Sequence, residues 1–187
     1  MVGLGNPGPQ YARSRHNVGA EVVERLAARH GATLRRSKEL ALTAEVRIDA
    51  KRVALAFPQT YMNDSGRSVQ LLVRRHGIED LERLVVVHDE LDLPPGTLRL
   101  KRGGGLAGHN GLRSLRDHLH STDFLRVRIG VGKPTSKERG ADHVLSRVSK
   151  SDRELLDVAI ERAADAVEMI LTDGIDAAMA RYHRPEE

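Results

Sequence analysis

The chain contains no cysteine and no tryptophan among its 187 residues. The lack of cysteine excludes disulfide bonds, thiolate nucleophiles and cysteine-ligated zinc sites. Aromatic residues make up only 3% of the chain, which is too few for a surface on which successive nucleic-acid bases could stack. Any bound nucleic acid would therefore be held mainly through its backbone and its shape. The aromatic residues are Tyr11, Phe57, Tyr61, Phe124 and Tyr182.

Long apolar runs are missing as well. No stretch approaches the roughly 18 consecutive apolar residues that indicate a membrane-spanning helix, and the sequence shows neither a secretory leader nor a lipidation signal. We therefore expect a cytoplasmic protein that does not bind membranes. A length of 187 residues, with 40% apolar and 30% charged residues, is typical of one globular domain, and we expect it to be a monomer.

Positive charge is concentrated in the second half of the chain. The formal net charge is +4, and between residues 99 and 139 ten basic residues stand against three acidic ones. A solvated charged face explains many scattered basic residues, whereas a basic cluster beside a glycine-rich loop favours a phosphate-bearing ligand. The composition alone leaves both interpretations open.

The pattern of apolar residues predicts alternating strands and helices. Residues 84–87 form a short β-branched run typical of a buried parallel strand, and residues 18–30 repeat apolar positions at helical spacing. We predict a single α/β domain over residues 1–187, with three layers, a mixed and mostly parallel twisted sheet, and helices on both faces. Residues 136–150 are a candidate lid, and C-terminal helices are predicted at 151–182. The other predicted strands are 2–4, 42–48, 52–57, 97–101 and 124–131, and the other helices are 65–76 and 110–119.

The glycine-rich stretch 103–112 is the most informative part of the chain. Its glycines crowd against His109 and Asn110, which open a predicted helix. Glycine permits positive φ and close approach of a ligand to the main chain. A flexible surface loop is the alternative explanation.

Polar side chains follow several predicted strands. Asn6, Asn63, Asp89 and the pair His109–Asn110 each come after a strand, and His16 opens the first helix. Because ligands of open α/β sheets bind outside the carboxyl ends of the strands, we expect these residues to share one mouth. Taken singly, each could instead be a helix cap or a turn residue.

Several familiar sites can be excluded from the sequence. Residues 3–8 match a G-x-G-x-x-G pattern, but Pro7 and Pro9 prevent the immediate helix that a dinucleotide site requires. No glycine-lysine-serine or glycine-lysine-threonine run is present, and no serine stands in a G-x-S-x-G setting. With no credible side-chain nucleophile, water has to be the attacking group.

An attacking water needs a general base, for which histidine is the usual choice near neutral pH. Asp89 could hold the ring of His16 in one tautomer and stabilise the imidazolium. The side-chain amides of Asn63 and Asn110 could donate to the oxygen that becomes negative in a tetrahedral intermediate. The residues thus predict a hydrolase with a His–Asp pair and amide donors.

Five motifs occur in the order and spacing of bacterial-type peptidyl-tRNA hydrolases, which the chain resembles over nearly its whole length. They are residues 3–8 (GLGNPG), Tyr11 with 15–19 (RHNVG), 61–66 (YMNDSG), 88–96 (HDELDLPPG) and 108–112 (GHNGL). The resemblance implies hydrolysis of the ester between a peptide and the 3′ ribose of tRNA, which recycles the tRNA. It implies no cofactor and no metal, and contacts to the acceptor stem and 3′ end of the tRNA.

The resemblance also implies roles for individual residues. His16 would be the catalytic base and Asp89 its partner. Residues that position the substrate or stabilise the transition state would be Asn6, Asn63 and Asn110, and the cleft would be shaped by Tyr11, Tyr61, Met62 and His109. Candidates for contacts to tRNA phosphates are Arg99, Lys101 and Arg128. One departure from the family is Ala107, which stands where a glycine is expected and adds a methyl group where backbone freedom is wanted.

Two other functions remain possible at this point. A metal-dependent phosphoesterase or nuclease could use His16, His88, Asp89, Asp92 and His109 as ligands, although no compact ligand motif is present. A non-catalytic RNA-binding module would explain the basic stretch and the glycines, but not the His, Asp and Asn residues spread over several loops.

Overall fold

A computed structural model describes residues 1–134 and 140–184. Within these ranges seven strands form one sheet. They are β1 (Val2–Gly3), β2 (Arg35–Arg36), β3 (Ala41–Ile48), β4 (Lys51–Pro58), β5 (Val85–Glu90), β6 (Leu98–Arg102) and β7 (Leu125–Gly130). The strand order across the sheet is β2-β3-β4-β1-β5-β7-β6.

Six α-helices and three short 3-10 turns connect the strands of the described residues. The helices are α1 (Val18–Arg29), α2 (Ser65–Arg75), α3 (Asn110–Leu119), α4 (Gly140–Leu145), α5 (Lys150–Asp173) and α6 (Ile175–Tyr182). The 3-10 turns are Arg15–Asn17, Met62–Asp64 and Leu81–Arg83. None of the helices in this part of the chain is both long enough and apolar enough to cross a membrane.

The sheet is mixed, as the sequence predicts. Strands β4, β1, β5 and β7 pair in parallel, while β3 and β6 run against their neighbours. Strand β2 is antiparallel to β3 and so runs with the parallel set. Most strands of the described sheet therefore share one direction, and their carboxyl ends meet at one edge.

Helices cover both faces of the sheet and give the predicted three layers. Helices α1, α5 and α6 pack on one face, and α2 and α3 pack on the other. In β5, Val85 and Val87 point to the first face and Val86 to the second. This burial on both sides explains why the segment is a continuous apolar run.

The structure differs from the predicted elements in three places. Strand β2 was not predicted, because Arg35 and Arg36 are exposed and give no apolar alternation. Strand β5 runs on to Glu90, so Asp89 lies within the strand. The candidate lid at 136–150 contains α4, which was not predicted, and its residues 136–139 lie outside the described residues.

Backbone contacts set α1 tightly against the sheet. A Cβ on Gly19 would press on the carbonyl oxygen of Val87, and a Cβ on Gly3 would press on that of Gly19, both far inside normal contact. The N–H of Leu4 also donates to the oxygen of Val87 at 3.0 Å. This close packing brings the turn Arg15–Asn17, which precedes α1, into contact with β5.

We expect Gly19→Ala to destabilise the fold by about 1–3 kcal/mol, because the added methyl group overpacks backbone that cannot yield without moving β5. Urea denaturation measures the change. Gly105→Ala is the matched control, since a Cβ there meets open space, and it should change the free energy of unfolding by less than about 0.5 kcal/mol. Equal effects of the two substitutions would refute the packing argument.

Candidate active site

The carboxylate of Asp89 lies at the centre of the predicted mouth and is buried, with 2% of its side chain exposed. Its Oδ2 lies 2.8 Å from Nδ1 of His16, and its Oδ1 lies 2.8 Å from Nε2 of His109. The ring centroids of the two histidines are 5.2 Å apart. The structure thus brings His16, Asp89 and His109 together in the mouth that the sequence predicts, but the direct bond from His109 to Asp89 is not among the sequence predictions.

Hydrogen bonds fix the tautomers of both rings. Nδ1 of His109 accepts the N–H groups of Gly111 and Leu112 at 3.0 and 3.2 Å, so His109 caps α3. Its Nε2 therefore carries the proton and donates to Asp89. Nδ1 of His16 donates to the other carboxylate oxygen, which leaves Nε2 of His16 with a free lone pair. His16 is thereby arranged as a proton acceptor.

Two opposing effects act on the carboxyl group of Asp89. Burial raises its pKa, but His16 and His109 act more strongly together, through charge and through hydrogen bonds, and hold the pKa well below its usual range. Asp89 is accordingly ionised at neutral pH. An ionised acceptor between two N–H donors keeps both rings in place.

Asparagine side chains tie the surrounding loops together. Asn17 receives the N–H of Asn6 at 2.9 Å and donates to the oxygen of Asn6 at 2.8 Å. The side-chain Oδ1 of Asn6 in turn accepts the N–H of Met62 at 2.7 Å. Sequence reasoning missed this role of Asn17, for which the available signal was its place next to His16 in the motif at residues 15–19. Asn6, predicted to position substrate, also joins two loops of the mouth.

The other predicted amides and apolar residues line the opening. Asn63 is exposed in the 3-10 turn that precedes α2, and Asn110 is exposed as the first residue of α3. A Cβ on Gly111 would collide with the sulfur of Met62, so these two loops touch. Tyr61 is 63% exposed beside Met62.

Tyr11 and Ala107 are two further residues that the sequence analysis singled out near the opening. Tyr11 is half-buried in the turn that leads to His16, and within the described residues no side-chain hydrogen bond joins it to His16, Asp89 or His109. Ala107 has a φ of +48°, so the alanine does occupy a left-handed position that favours glycine.

The predicted phosphate-binding residues lie on one face of the sheet. Arg99 stands opposite Arg128, and Lys101 stands opposite Arg126, across the β6–β7 pair. Like charges directly opposite each other destabilise a sheet. The carboxylate of Glu90 offsets this repulsion only partly, because its Oε1 lies 3.8 Å from Nη1 of Arg128. An anion bound here would offset the repulsion.

The rival metal ligands do not gather completely. The ligand atoms of His16, Asp89 and His109 lie within 4.8 Å of one another, but Asp92 pairs with Lys133 at 2.7 Å. His88 instead donates from Nδ1 to the backbone oxygen of Asp89 at 2.7 Å. A cation on Nε2 of His109 would also push the ring proton to Nδ1, where the amides of α3 already donate. The geometry therefore disfavours a metal centre.

The candidate lid is anchored beside the mouth by the residue before His16. The guanidinium of Arg15 is buried and donates to Oγ of Ser146 at 3.0 Å and to the oxygen of His143 at 3.3 Å. It also lies 3.5 Å from Asp152 at the start of α5. The described part of the segment is thus held to the turn that carries His16. Movement of the segment as a lid stays a prediction.

His88 makes the stability of the fold depend on pH. Burial, with a further contribution from His109, lowers the pKa of His88 to about 3. As pH falls from about 6.5 toward 3, the unfolded chain binds a proton that the folded chain does not, and this lowers the free energy of unfolding by up to about 1.4 kcal/mol per pH unit.

We expect His88→Asn, which keeps a donor for the backbone oxygen of Asp89, to make the free energy of unfolding depend less on pH. The slope should fall by up to about 1.4 kcal/mol per pH unit. Urea denaturation between about pH 7 and pH 4.5 measures the slope. His120→Asn is the control, because His120 is exposed and its left-handed backbone suits asparagine. Identical slopes for wild type and His88→Asn would contradict the assignment.

Comparison with known proteins agrees with the resemblance noted in the sequence. A sequence model of the family described as peptidyl-tRNA hydrolase matches residues 1–187. A peptidyl-tRNA hydrolase of Frankia alni is 48% identical over 183 residues, which cover 98% of this chain and 92% of the relative. One of Leifsonia xyli subsp. xyli is 49% identical over 185 residues, covering 98% of this chain and 95% of the relative.

Solved structures show the same fold. A crystal structure of peptidyl-tRNA hydrolase from Acinetobacter baumannii matches with a TM-score of 0.93 at 41% sequence identity, covering 99% of this chain and 94% of that chain. The match in sequence and in fold removes the non-catalytic RNA-binding module as an explanation. The chain therefore belongs to the peptidyl-tRNA hydrolase family, and it is a hydrolase that acts on peptidyl-tRNA.

Proposed function

We propose that the chain cleaves the ester between the peptide and the 3′ ribose of peptidyl-tRNA by means of a water molecule that His16 activates, without a metal ion and without a covalent intermediate. One observation carries the proposal. The buried carboxylate of Asp89 accepts a hydrogen bond from each of two histidines, which leaves Nε2 of His16 as the free base.

The reaction would begin with attack of water on the ester carbonyl carbon. As the C–O bond forms, a water proton passes to Nε2 of His16, and Asp89 stabilises the resulting imidazolium. His109 already satisfies the other oxygen of Asp89. The carboxylate therefore keeps its orientation while the charge on His16 changes.

The negative oxygen of the tetrahedral intermediate needs donors that are in place beforehand. The exposed side chain of Asn63 lies in the turn before α2 and that of Asn110 at the start of α3, and these two segments touch through Met62 and Gly111. Positive partial charge at the two helix N-termini would add to the stabilisation. We assign these amides to the oxyanion.

Collapse of the intermediate completes the reaction. The bond between the carbonyl carbon and the ribose 3′ oxygen breaks, and the proton held on His16 passes to that oxygen. The products are a peptide with a free carboxyl group and a tRNA with a free 3′ end. A ribose oxygen leaves more readily than an amide nitrogen, so an assisted water is sufficient.

Recognition of a peptidyl rather than an aminoacyl group requires contacts to the amide next to the ester. Asn6 uses its Oδ1 for Met62, and its Nδ2 bonds to none of the described residues. We assign this nitrogen to the substrate amide, with Tyr11, Tyr61 and Met62 forming the walls of the cleft.

The tRNA would bind along the basic rows of β6 and β7. Phosphates of the acceptor stem and 3′ end would lie against Arg99, Lys101 and Arg128, where the cross-strand repulsion favours an anion. His16, Asp89, Asn63 and Asn110 all come from one chain, so we propose a monomer. A substrate produced in translation points to the cytoplasm.

The first test is His16→Ala. Loss of a general base should lower the rate of release of labelled N-acetylaminoacyl groups from tRNA about 10²- to 10⁴-fold, with tRNA binding and folding unchanged. Both proteins are assayed in EDTA. The control is His30→Ala. His30 follows the C-terminal end of α1, at the other end of the helix from His16, and pairs there with Glu168 of α5.

Two results would count against the mechanism. Full activity of His16→Ala would show that another group activates the water. Loss of wild-type activity in EDTA, restored by a divalent cation, would favour the metal-dependent alternative.

The second test concerns the basic rows. Arg99→Met should raise KM for the tRNA substrate with little change in kcat, and it should reduce the slope of log binding constant against log salt by about 0.9, the contribution of one phosphate contact. Arg52→Met is the control, since Arg52 is 72% exposed on β4 and pairs with Glu45. A salt dependence that is flat in the wild type would rule out binding through phosphates.

A further inference from the structure

One arginine of the basic rows does not face solvent. Arg126 is 1% exposed, whereas its neighbours across and along the strands, Lys101 and Arg128, are partly exposed. Its guanidinium turns under the glycine-rich loop, where its carbon lies 4.8 Å from the centre of the Phe124 ring. A charge buried in this way is unavailable to a phosphate on the surface.

The guanidinium of Arg126 holds the backbone of the loop. It donates to the carbonyl oxygens of Gly104 at 2.9 Å and Thr122 at 3.3 Å, and also to that of Gly105. Within the described residues it forms no ion pair with a carboxylate. Three carbonyl oxygens therefore pair the two terminal nitrogens of a buried cation that would be costly if left unpaired, while its Nε has no partner among the described residues.

The glycine-rich loop, residues 103–108, needs such a support because its own backbone hydrogen bonds hold it only weakly. Four of its residues have positive φ, and they are Gly103, Gly104, Ala107 and Gly108. Backbone hydrogen bonds tie it only at its ends, where Gly103 donates to Phe124 at 3.1 Å and His109 donates to Leu106 at 2.9 Å. Between these ends, the fork of Arg126 fixes the path of the chain.

The loop leads directly into the residues of the candidate active site. His109, the first residue after the loop, has to place Nε2 on Asp89 and Nδ1 on the N-terminus of α3. Asn110 follows at once. A displacement of about 1 Å at such a site can cost about 10²-fold in rate, so the support of the loop bears on turnover.

We propose that Arg126 is a positioning residue, which fixes the glycine-rich loop so that His109 and Asn110 stand correctly at Asp89 and at the ester, and that it does not bind tRNA phosphate. The proposal rests on the proposed function, because it assigns Arg126 to the same reaction. It separates the basic face into two parts. Arg99, Lys101 and Arg128 bind the tRNA, and Arg126 acts on the catalytic loop.

The test compares Arg126→Met and Arg126→Lys with Arg99→Met, using N-acetylaminoacyl-tRNA as substrate. For Arg126→Met we expect kcat to fall about 10- to 100-fold, with KM and the salt dependence of tRNA binding unchanged. Arg126→Lys keeps the charge but loses the fork, and it should lie between wild type and Arg126→Met. Arg99→Met should show the opposite split, with a raised KM and a reduced salt slope.

Hydrogen exchange supplies a readout that does not depend on activity. Amide exchange should accelerate in residues 104–112 of Arg126→Met and stay unchanged in β5 and α1. Acceleration throughout the domain, or failure of both Arg126 variants to fold, would make Arg126 a general support of the fold and overturn the proposal. Unchanged kcat would overturn it as well, and so would a raised KM with a salt slope reduced by about 0.9, which marks a phosphate ligand.

Failure of the proposed mechanism and failure of the role proposed for Arg126 would give different results. An inactive wild type, or a fully active His16→Ala, would remove the proposed mechanism whatever the Arg126 variants do. An active wild type that depends on His16, together with an unaffected Arg126→Met, would remove only the role of Arg126.

Discussion

The site depends on one buried carboxylate that accepts hydrogen bonds from two histidines. Removing a carboxylate from water is unfavourable, and Asp89 remains ionised because His16 and His109 each present an N–H to it. The donor direction at Asp89 then decides which nitrogen of His16 is left free. A single electrostatic constraint at the end of β5 thus fixes both rings and their tautomers, and it leaves Nε2 of His16 as the free acceptor.

The rest of the fold serves to bring three distant segments to that carboxylate. Glycines at positions 3 and 19 let α1 approach the sheet backbone and place His16 over β5. The asparagine bridge from Asn17 through Asn6 to Met62 joins the next loop. The third segment arrives through the glycine-rich loop, with His109 as the cap of α3. Each segment is held by backbone contacts or polar bridges, and each also buries an apolar residue in the core, namely Val18, Met62 and Leu112.

Much of this arrangement could be predicted from the sequence, and the limits have physical causes. The rule that parallel strands end at one edge predicts one mouth for His16, Asp89 and Asn63. It does not account for His109 and Asn110, because β6 runs against the parallel strands and ends at the opposite edge of the sheet. It could not show that His109 bonds to Asp89, because the path of residues 103–108 depends on positive φ values that sequence does not encode at an alanine. Alternation in β7 puts Arg126 and Arg128 on the same face, yet it cannot tell which of them turns inward. Strand β2 gives no apolar signal at all.

The cap formed by His109 has a consequence for how charge moves during turnover. Because Nδ1 of His109 already accepts two amide N–H groups and its Nε2 donates to Asp89, this ring takes no proton from water in the proposed reaction. The proton that would pass from water to His16 would offset the negative charge of Asp89. The single negative charge is then on the substrate oxygen, near the mouth. In the proposed mechanism, one unit of negative charge therefore moves from the interior to the opening without a change in the total, so that the surrounding protein has little to rearrange as the reaction proceeds.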